Sequence, residues 1–239
     1  MSRAEAQPTV QERAAVAAVL QMNAMAAETG HAPAAPETDP VTPDAIMAVA
    51  RGFMAAKHLF AASSIGIFEA LADGPATLAE IATRAGISER AAHISADAMV
   101  ALGFLNLEQG HYSNGAVAST FLAGRTPADL RPVLRFWDLV SYPAWAQLEP
   151  VLRGRWAPQQ LSPRLREVFS AGVEALTAGP AQALAAVYDF TAHRRLLDVG
   201  GGTGSITAAI ARRHPQIQAA VIDPVPPPTS SRRRSAVKS

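Results

Sequence analysis

The residues of this sequence best suited to chemistry lie in one stretch, Leu196 to Asp223, which reads LLDVGGGTGSITAAIARRHPQIQAAVID. Gly200, Gly202 and Gly204 follow an apolar run ending at Asp198-Val199, and Asp223 closes the next apolar run. A glycine turn after a buried strand lets backbone N–H groups approach a ligand closely, because no Cβ intervenes. A helix that starts there adds the positive end of its dipole. Spacing decides which ligand. The dinucleotide pattern G-x-G-x-x-G, counted from Gly200, puts Ser205 at its third position, where glycine or alanine is wanted. The pattern D-x-G-x-G-x-G is met throughout, by Asp198, Gly200, Gly202 and Gly204. Asp223 stands where a strand-end carboxylate accepts the two ribose hydroxyls of an adenosine cofactor. Two plainer readings stay open: Asp198 as a strand-end cap of the turn, and Asp223 as a loop acid ahead of prolines.

These residues need a strand, a helix and a second strand to position them. RRLLDV, SITAAIARRH and IQAAVID supply that order, one βαβ unit from Arg195 on. Upstream the punctuation is helical. PDAIMAVARGFMAAKHLFAASSIGIFEALADG spaces its larger apolar residues at three and four and is ended by Gly74-Pro75. Thr77 and Glu80 form a capping box that opens a short helix closed by Gly86. Ser88 caps a longer helix running to about Leu102, with Gly103 past its end. FLNLEQGHYS then reads as a hairpin about Gln109-Gly110. Helix, short helix, helix, hairpin is the order of a winged helix-turn-helix. Residues 116–190 read as all-helical. Thr126-Pro127, Ser162-Pro163 and Gly179-Pro180 each suit a helix start, and Pro132, Pro143 and Pro150 break the middle into short pieces.

Composition narrows the classes. The 239 residues are 49% hydrophobic and 17% charged, enough apolar material for a packed core. A formal charge of +1 gives no reason to expect a polyanion partner. With no cysteine, a disulfide framework, a thiolate metal site and a cysteine nucleophile are excluded. The apolar run Ala14–Leu20 is too short for a membrane span and lacks the flanks of a secretory signal, so the expectation is a cytoplasmic protein with no membrane partner. Residues 1–43 read as a flexible N-terminal segment and linker, with four prolines in the stretch Gly30–Pro43.

LLDVGGGTGSITAAIARRHPQIQAAVID resembles the first βαβ unit of S-adenosylmethionine-dependent O-methyltransferases of the plant-type (caffeic acid and hydroxyneurosporene-like) group. FEALADGPATLAEIATRAGISERAAHISADAMVALGFLNLEQGHYS resembles the winged-helix dimerisation domain that precedes it in that group. The resemblance covers about Asp44 to Asp223. It implies a mainly α chain with an α/β C-terminal part: a winged-helix dimerisation domain at 44–125, a helical connector at 126–190, then an incomplete Rossmann-like methyltransferase domain at 191–223. It further implies S-adenosyl-L-methionine as cofactor, with Gly200 and Gly202 near its methionine part and Asp223 on the ribose. The implied partners are a small-molecule acceptor, a phenol or other hydroxyl, and a second subunit in a homodimer.

The sequence also departs from that group. After Asp223 it runs Pro224-Val225-Pro226 and then PPTSSRRRSAVKS, a composition unlike any strand or helix of the fold. From Arg195 fewer than half the residues of a typical ~100–150-residue domain remain. None of His31, His58, His93, His111, His193 and His214 matches the group's catalytic histidine, so no catalytic residue is assigned. The expectation is a disordered tail at 224–239, produced by a frameshift or truncation, and a chain inactive by itself. Two apolar strands without further cover should expose their faces and edges. The alternatives are a non-catalytic partner that pairs with an intact methyltransferase, and a winged-helix DNA-binding regulator. The second is disfavoured because Glu89 and Asp97 accompany Arg90 and His93, and the hairpin tip carries no Lys or Arg. Phe136, Trp137, Tyr142 and Trp145 line an acceptor pocket on one reading and belong to the core on the other. His214, Arg212 and Arg213 compensate a helix C-terminus, and Arg232 to Arg234 belong to a solvated tail.

Overall fold

The structure is a computed structural model and describes residues 42–155 and 160–223. The expected N-terminal linker up to residue 41 and the tail at 224–239 lie outside the described residues. The described residues form two units: 42–51 with 145–155 and 160, and 52–144 with 161–223.

Gly66 adopts φ 82°, a left-handed conformation that costs a residue with a Cβ. It divides the first apolar stretch into α1 (Asp44–Ser64) and α2 (Ile67–Ala70), where spacing alone predicts one helix. In α3 (Leu78–Ala85) the capping box forms as predicted: Thr77 Oγ1 accepts from the Glu80 N–H, and Glu80 Oε2 accepts from the Thr77 N–H at 2.8 Å. That backbone bond, then the Thr77 hydroxyl, holds the Glu80 carboxyl below its ordinary value. Ser88 caps α4 (Glu89–Ala101), its Oγ accepting from the Ala91 N–H at 3.2 Å. β1 (Leu105–Glu108) and β2 (His111–Asn114) pair antiparallel, Leu105 opposite Asn114. Their link, Gln109 at φ 49° and Gly110 at φ 78°, has both central residues left-handed, as a two-residue hairpin requires. Ala76 adds a bridge to Tyr112, each N–H bonding the other's carbonyl. Phe68, Ile67, Ile81 and Met99 are fully buried at the centre of this winged helix, with Phe60, Leu105 and Tyr112 around them.

After α5 (Ala116–Phe121), two of the three expected proline starts fail. Thr126-Pro127 makes a turn, because Thr126 Oγ1 accepts from the Ala128 N–H and donates to the Thr120 carbonyl. The helix begins later, as α6 (Arg131–Phe136), with Pro132 in its first turn rather than as a breaker. Arg131 spans the junction, donating to Asp129 at 2.8 Å and to Glu69 of α2 at 2.5 Å. Five residues of π-helix, Trp137–Ser141, follow, and the Tyr142 N–H bonds the Trp137 carbonyl. Short helices α7 (Tyr142–Trp145) and α8 (Leu148–Leu152) complete the broken stretch. α9 (Pro163–Val187) starts as predicted, its Ser162 cap accepting from the Leu165 N–H. It then runs through Gly179-Pro180, the other failed start. α9 packs along α6, where Phe136 meets Phe169 edge-on at 5.2 Å and a Cβ on Gly172 would overlap the Phe136 side chain. Close approach of two helices is what requires glycine there.

The chain closes with β3 (Arg195–Val199), α10 (Ser205–Arg213) and β4 (Gln218–Ile222). The strands are parallel, Leu196 opposite Ala219 and Asp198 opposite Val221. Ala185 and Phe190 pack with Ile210, Ile217 and Leu196 to cover one face. The other face is open: Leu197, Val199 and Ile222 are 57%, 76% and 56% exposed, as the sequence leads one to expect of two strands apolar on both sides. Among the described helices only α1, with 21 residues and mean hydropathy 1.2, is long and apolar enough to cross a membrane. Length sets a span aside for Ala14–Leu20 but not for α1; Phe60 and Ala62, buried in the winged-helix core, mark that end of α1 as a core helix.

Candidate cofactor site

β3 delivers Asp198 half-buried beneath the turn that follows. In that turn Gly200, Gly202 and Gly204 have φ of 78°, 54° and 75°, all left-handed. All three glycines of the D-x-G-x-G-x-G pattern are thus needed for backbone conformation. The Gly200 N–H donates to the Ile222 carbonyl at 2.7 Å, which extends the strand ladder into the turn. Gly204 caps α10, and a Cβ there would stand 3.2 Å from Val221 Cγ2. Close packing of helix on strand, the task of the third glycine in a dinucleotide fingerprint, therefore falls to Gly204 and not to Ser205.

Asp223 leaves β4 opposite the turn, and its Oδ2 accepts the Gly202 N–H at 2.7 Å. The structure thus brings Asp198, Gly200, Gly202, Gly204 and Asp223 into one place. Two residues outside the predicted set join them. A Cβ on Gly201 would lie 2.5 Å from the Asp198 carboxyl, so this position needs glycine for room although its φ is ordinary. The buried Thr207 donates its hydroxyl to Asp198 Oδ2 at 2.7 Å. Gly201 sits at a free position of the motif and Thr207 three residues past its end, where nothing but side-chain direction could have flagged them.

Two carboxylates facing a glycine turn suit a cationic, ribose-bearing ligand better than a pyrophosphate, which a carboxylate under the turn would repel. The sulfonium and ammonium charges of an adenosylated methionine fit that field.

Four of the described histidines are engaged elsewhere. His93 pairs with Asp97 at 3.0 Å, and His111 Nδ1 lies 3.2 Å from the Gln109 carbonyl. His193 Nε2 stands 2.9 Å from the Tyr188 hydroxyl. His214 ends α10, its Nε2 2.9 Å from the Ala185 carbonyl, beside Arg212 and Arg213 in the last turn. Of the aromatic set, Phe136 is buried and Trp137 packs on the winged-helix core. Tyr142 lies under Lys57 Nζ at 5.0 Å, and Lys57 also pairs with Asp138 of the π turn. Trp145 is 41% exposed.

Comparison with known proteins matches residues 47–124 to the O-methyltransferase dimerisation domain and residues 150–227 to the O-methyltransferase domain. The chain belongs to the O-methyltransferase family. The 8-O-methyltransferase TcmO of tetracenomycin polyketide synthesis from Streptomyces glaucescens is 31% identical over 198 residues, 79% of this chain and 58% of its own. The 3-hydroxy-5-methyl-1-naphthoate 3-O-methyltransferase of Streptomyces sahachiroi is 33% identical over 191 residues, 76% of this chain and 55% of its own. The chain thus spans a little over half the length of these relatives. The crystal structure of human N-acetylserotonin methyltransferase in complex with SAM shares the fold, with a TM-score of 0.73 at 21% identity over 86% of this chain and 65% of that one. The matched dimerisation domain takes in the winged helix, and the DNA-binding alternative is not favoured: on α4, Glu89, Arg90, His93 and Asp97 are exposed with mixed sign.

Proposed function

We propose that residues 191–223 hold S-adenosyl-L-methionine and that the whole protein transfers its methyl group to a hydroxyl of a small molecule. The observation that carries the reading is the pairing of two carboxylates with one glycine turn, Asp198 beneath it and Asp223 bonded to Gly202 at 2.7 Å. When bound, the cofactor supplies an electrophilic methyl. Around it, Gly200 and Gly202 give backbone room for the methionine part, and Asp223 accepts from the ribose hydroxyls. Gly204 seats the helix dipole against the site. The family membership and the names of the relatives, both O-methyltransferases, support an oxygen acceptor.

A binding titration with S-adenosylhomocysteine tests this. The chain should bind it, Asp223→Ala should weaken binding roughly tenfold through loss of charge-assisted hydrogen bonds, and NAD should not compete. No binding by the unaltered chain, or tighter binding of NAD, overturns the reading.

The protein is also proposed to be a cytoplasmic homodimer. The matched dimerisation domain begins within α1, where Phe53 shares a face with Phe60 seven residues on. Phe60 is 8% exposed in the core, whereas Phe53 is 50% exposed. One helical face, covered at one end and bare at the other, suits isologous contact with a second copy.

A further inference from the structure

We infer that Thr207 is a positioning residue for the cofactor site: its hydroxyl fixes Asp198 beneath the glycine turn and so sets the backbone that meets the ligand. The inference rests on the cofactor reading above. Thr207 is 7% exposed, and its Oγ1 stands 2.7 Å from Asp198 Oδ2. It is the third residue of α10, so its bond joins the first turn of the helix to the strand. The carboxylate so fixed occupies the space a Cβ on Gly201 would need, at 2.5 Å. The Gly201 carbonyl in turn accepts the Gly204 N–H at 2.8 Å. The order runs Thr207, Asp198, Gly201, Gly204: strand end, turn and helix cap closed into one ring. On its far side the turn is tied by Gly202 to Asp223. Without the hydroxyl, Asp198 is free to change rotamer and the turn loses its floor. A half-buried carboxylate is oriented by the donors it meets, and Thr207 is the donor the structure gives it.

The hydroxyl can be removed with little change of shape by Thr207→Val and restored by Thr207→Ser. Calorimetric titration with S-adenosylhomocysteine and amide exchange across Gly200–Gly204 are read together on each folded protein. Thr207→Val should bind roughly tenfold more weakly and exchange faster in the turn, and Thr207→Ser should stay within about threefold of the unaltered chain. Equal behaviour of the unaltered chain and Thr207→Val overturns the inference. So does an equal loss in both variants, which would assign the effect to packing of the methyl group. Should Thr207→Val fail to fold, Thr207→Ala removes the same hydroxyl and is read in the same way. If the unaltered chain binds no S-adenosylhomocysteine, the cofactor reading falls, and turn exchange alone decides whether Thr207 holds the turn.

Discussion

Asp198 and Tyr112 show how much of a residue's role lies in what stands beside it. Asp198 needs an empty Gly201 position, so Gly201→Ala should lower unfolding free energy by about 2 kcal/mol, the cost of overpacking or displacing a fixed group. Gly52→Ala is the control: nothing lies within 4 Å of a Cβ there and its φ is ordinary, so it should raise stability by roughly 0.5 kcal/mol. Urea unfolding of the two variants checks both signs. Tyr112 is 4% exposed and donates to Asp97 at 2.6 Å; burial first, then that bond, pushes its hydroxyl up to about 12. A phenol whose folded value is raised contributes stability that is complete below its unfolded value near 10 and is lost as pH rises toward 12. Thermal unfolding of the unaltered protein should therefore fall over that window. Tyr112→Phe should flatten it, at a loss of about 1 kcal/mol at neutral pH for the missing bond. Asp198, the three motif glycines and Asp223 were legible in the sequence because each obeys a spacing rule of the backbone. Gly201, Thr207 and the Asp97–Tyr112 pair were not, because they depend on where side chains point across a turn or a sheet.

At the scale of the element, caps written in adjacent residues are followed and prolines without a cap are not. Thr77 with Glu80, Ser88 and Ser162 each start a helix where the sequence places one. Thr126-Pro127 and Gly179-Pro180 do not. The Thr126 side chain is spent on a turn, and Gly179 offers no side-chain oxygen to cap with, so α9 keeps its course through Pro180. Gly66 could have been read as a break, but the apolar period runs on through it. The crossing of α6 and α9 was hidden for another reason: only the packed helices reveal that Gly172 faces Phe136. Gly172→Ala exchanges a poor helix former for a good one and would stabilise an isolated helix. Here the methyl group must push Phe136 away from Phe169, so the variant should lose about 1–3 kcal/mol, seen as a lower midpoint in chemical denaturation. A rise in stability would mean that α6 and α9 are not in close contact.

At the scale of the whole molecule, two exposed apolar faces among the described residues call for different covers. The open face of β3 and β4 carries Leu197, Val199 and Ile222, in line with a chain that spans a little over half the length of its curated relatives. The face of α1 lies within the region matched to a dimerisation domain, and in the proposed homodimer its cover is a second copy. The two can be told apart by one charge at a time. Phe53→Glu puts an ionised group on the α1 face and, in a two-fold contact, places two like charges near each other, a cost of several kcal/mol once buried. It should shift the protein to monomer in sedimentation at micromolar concentration, with its helical circular dichroism retained. Val199→Glu alters only the open sheet face and should leave the sedimentation coefficient of the dimer unchanged while reducing aggregation. If Phe53→Glu remains dimeric and Val199→Glu dissociates, the sheet, not the winged helix, joins the copies, and α1 needs another partner.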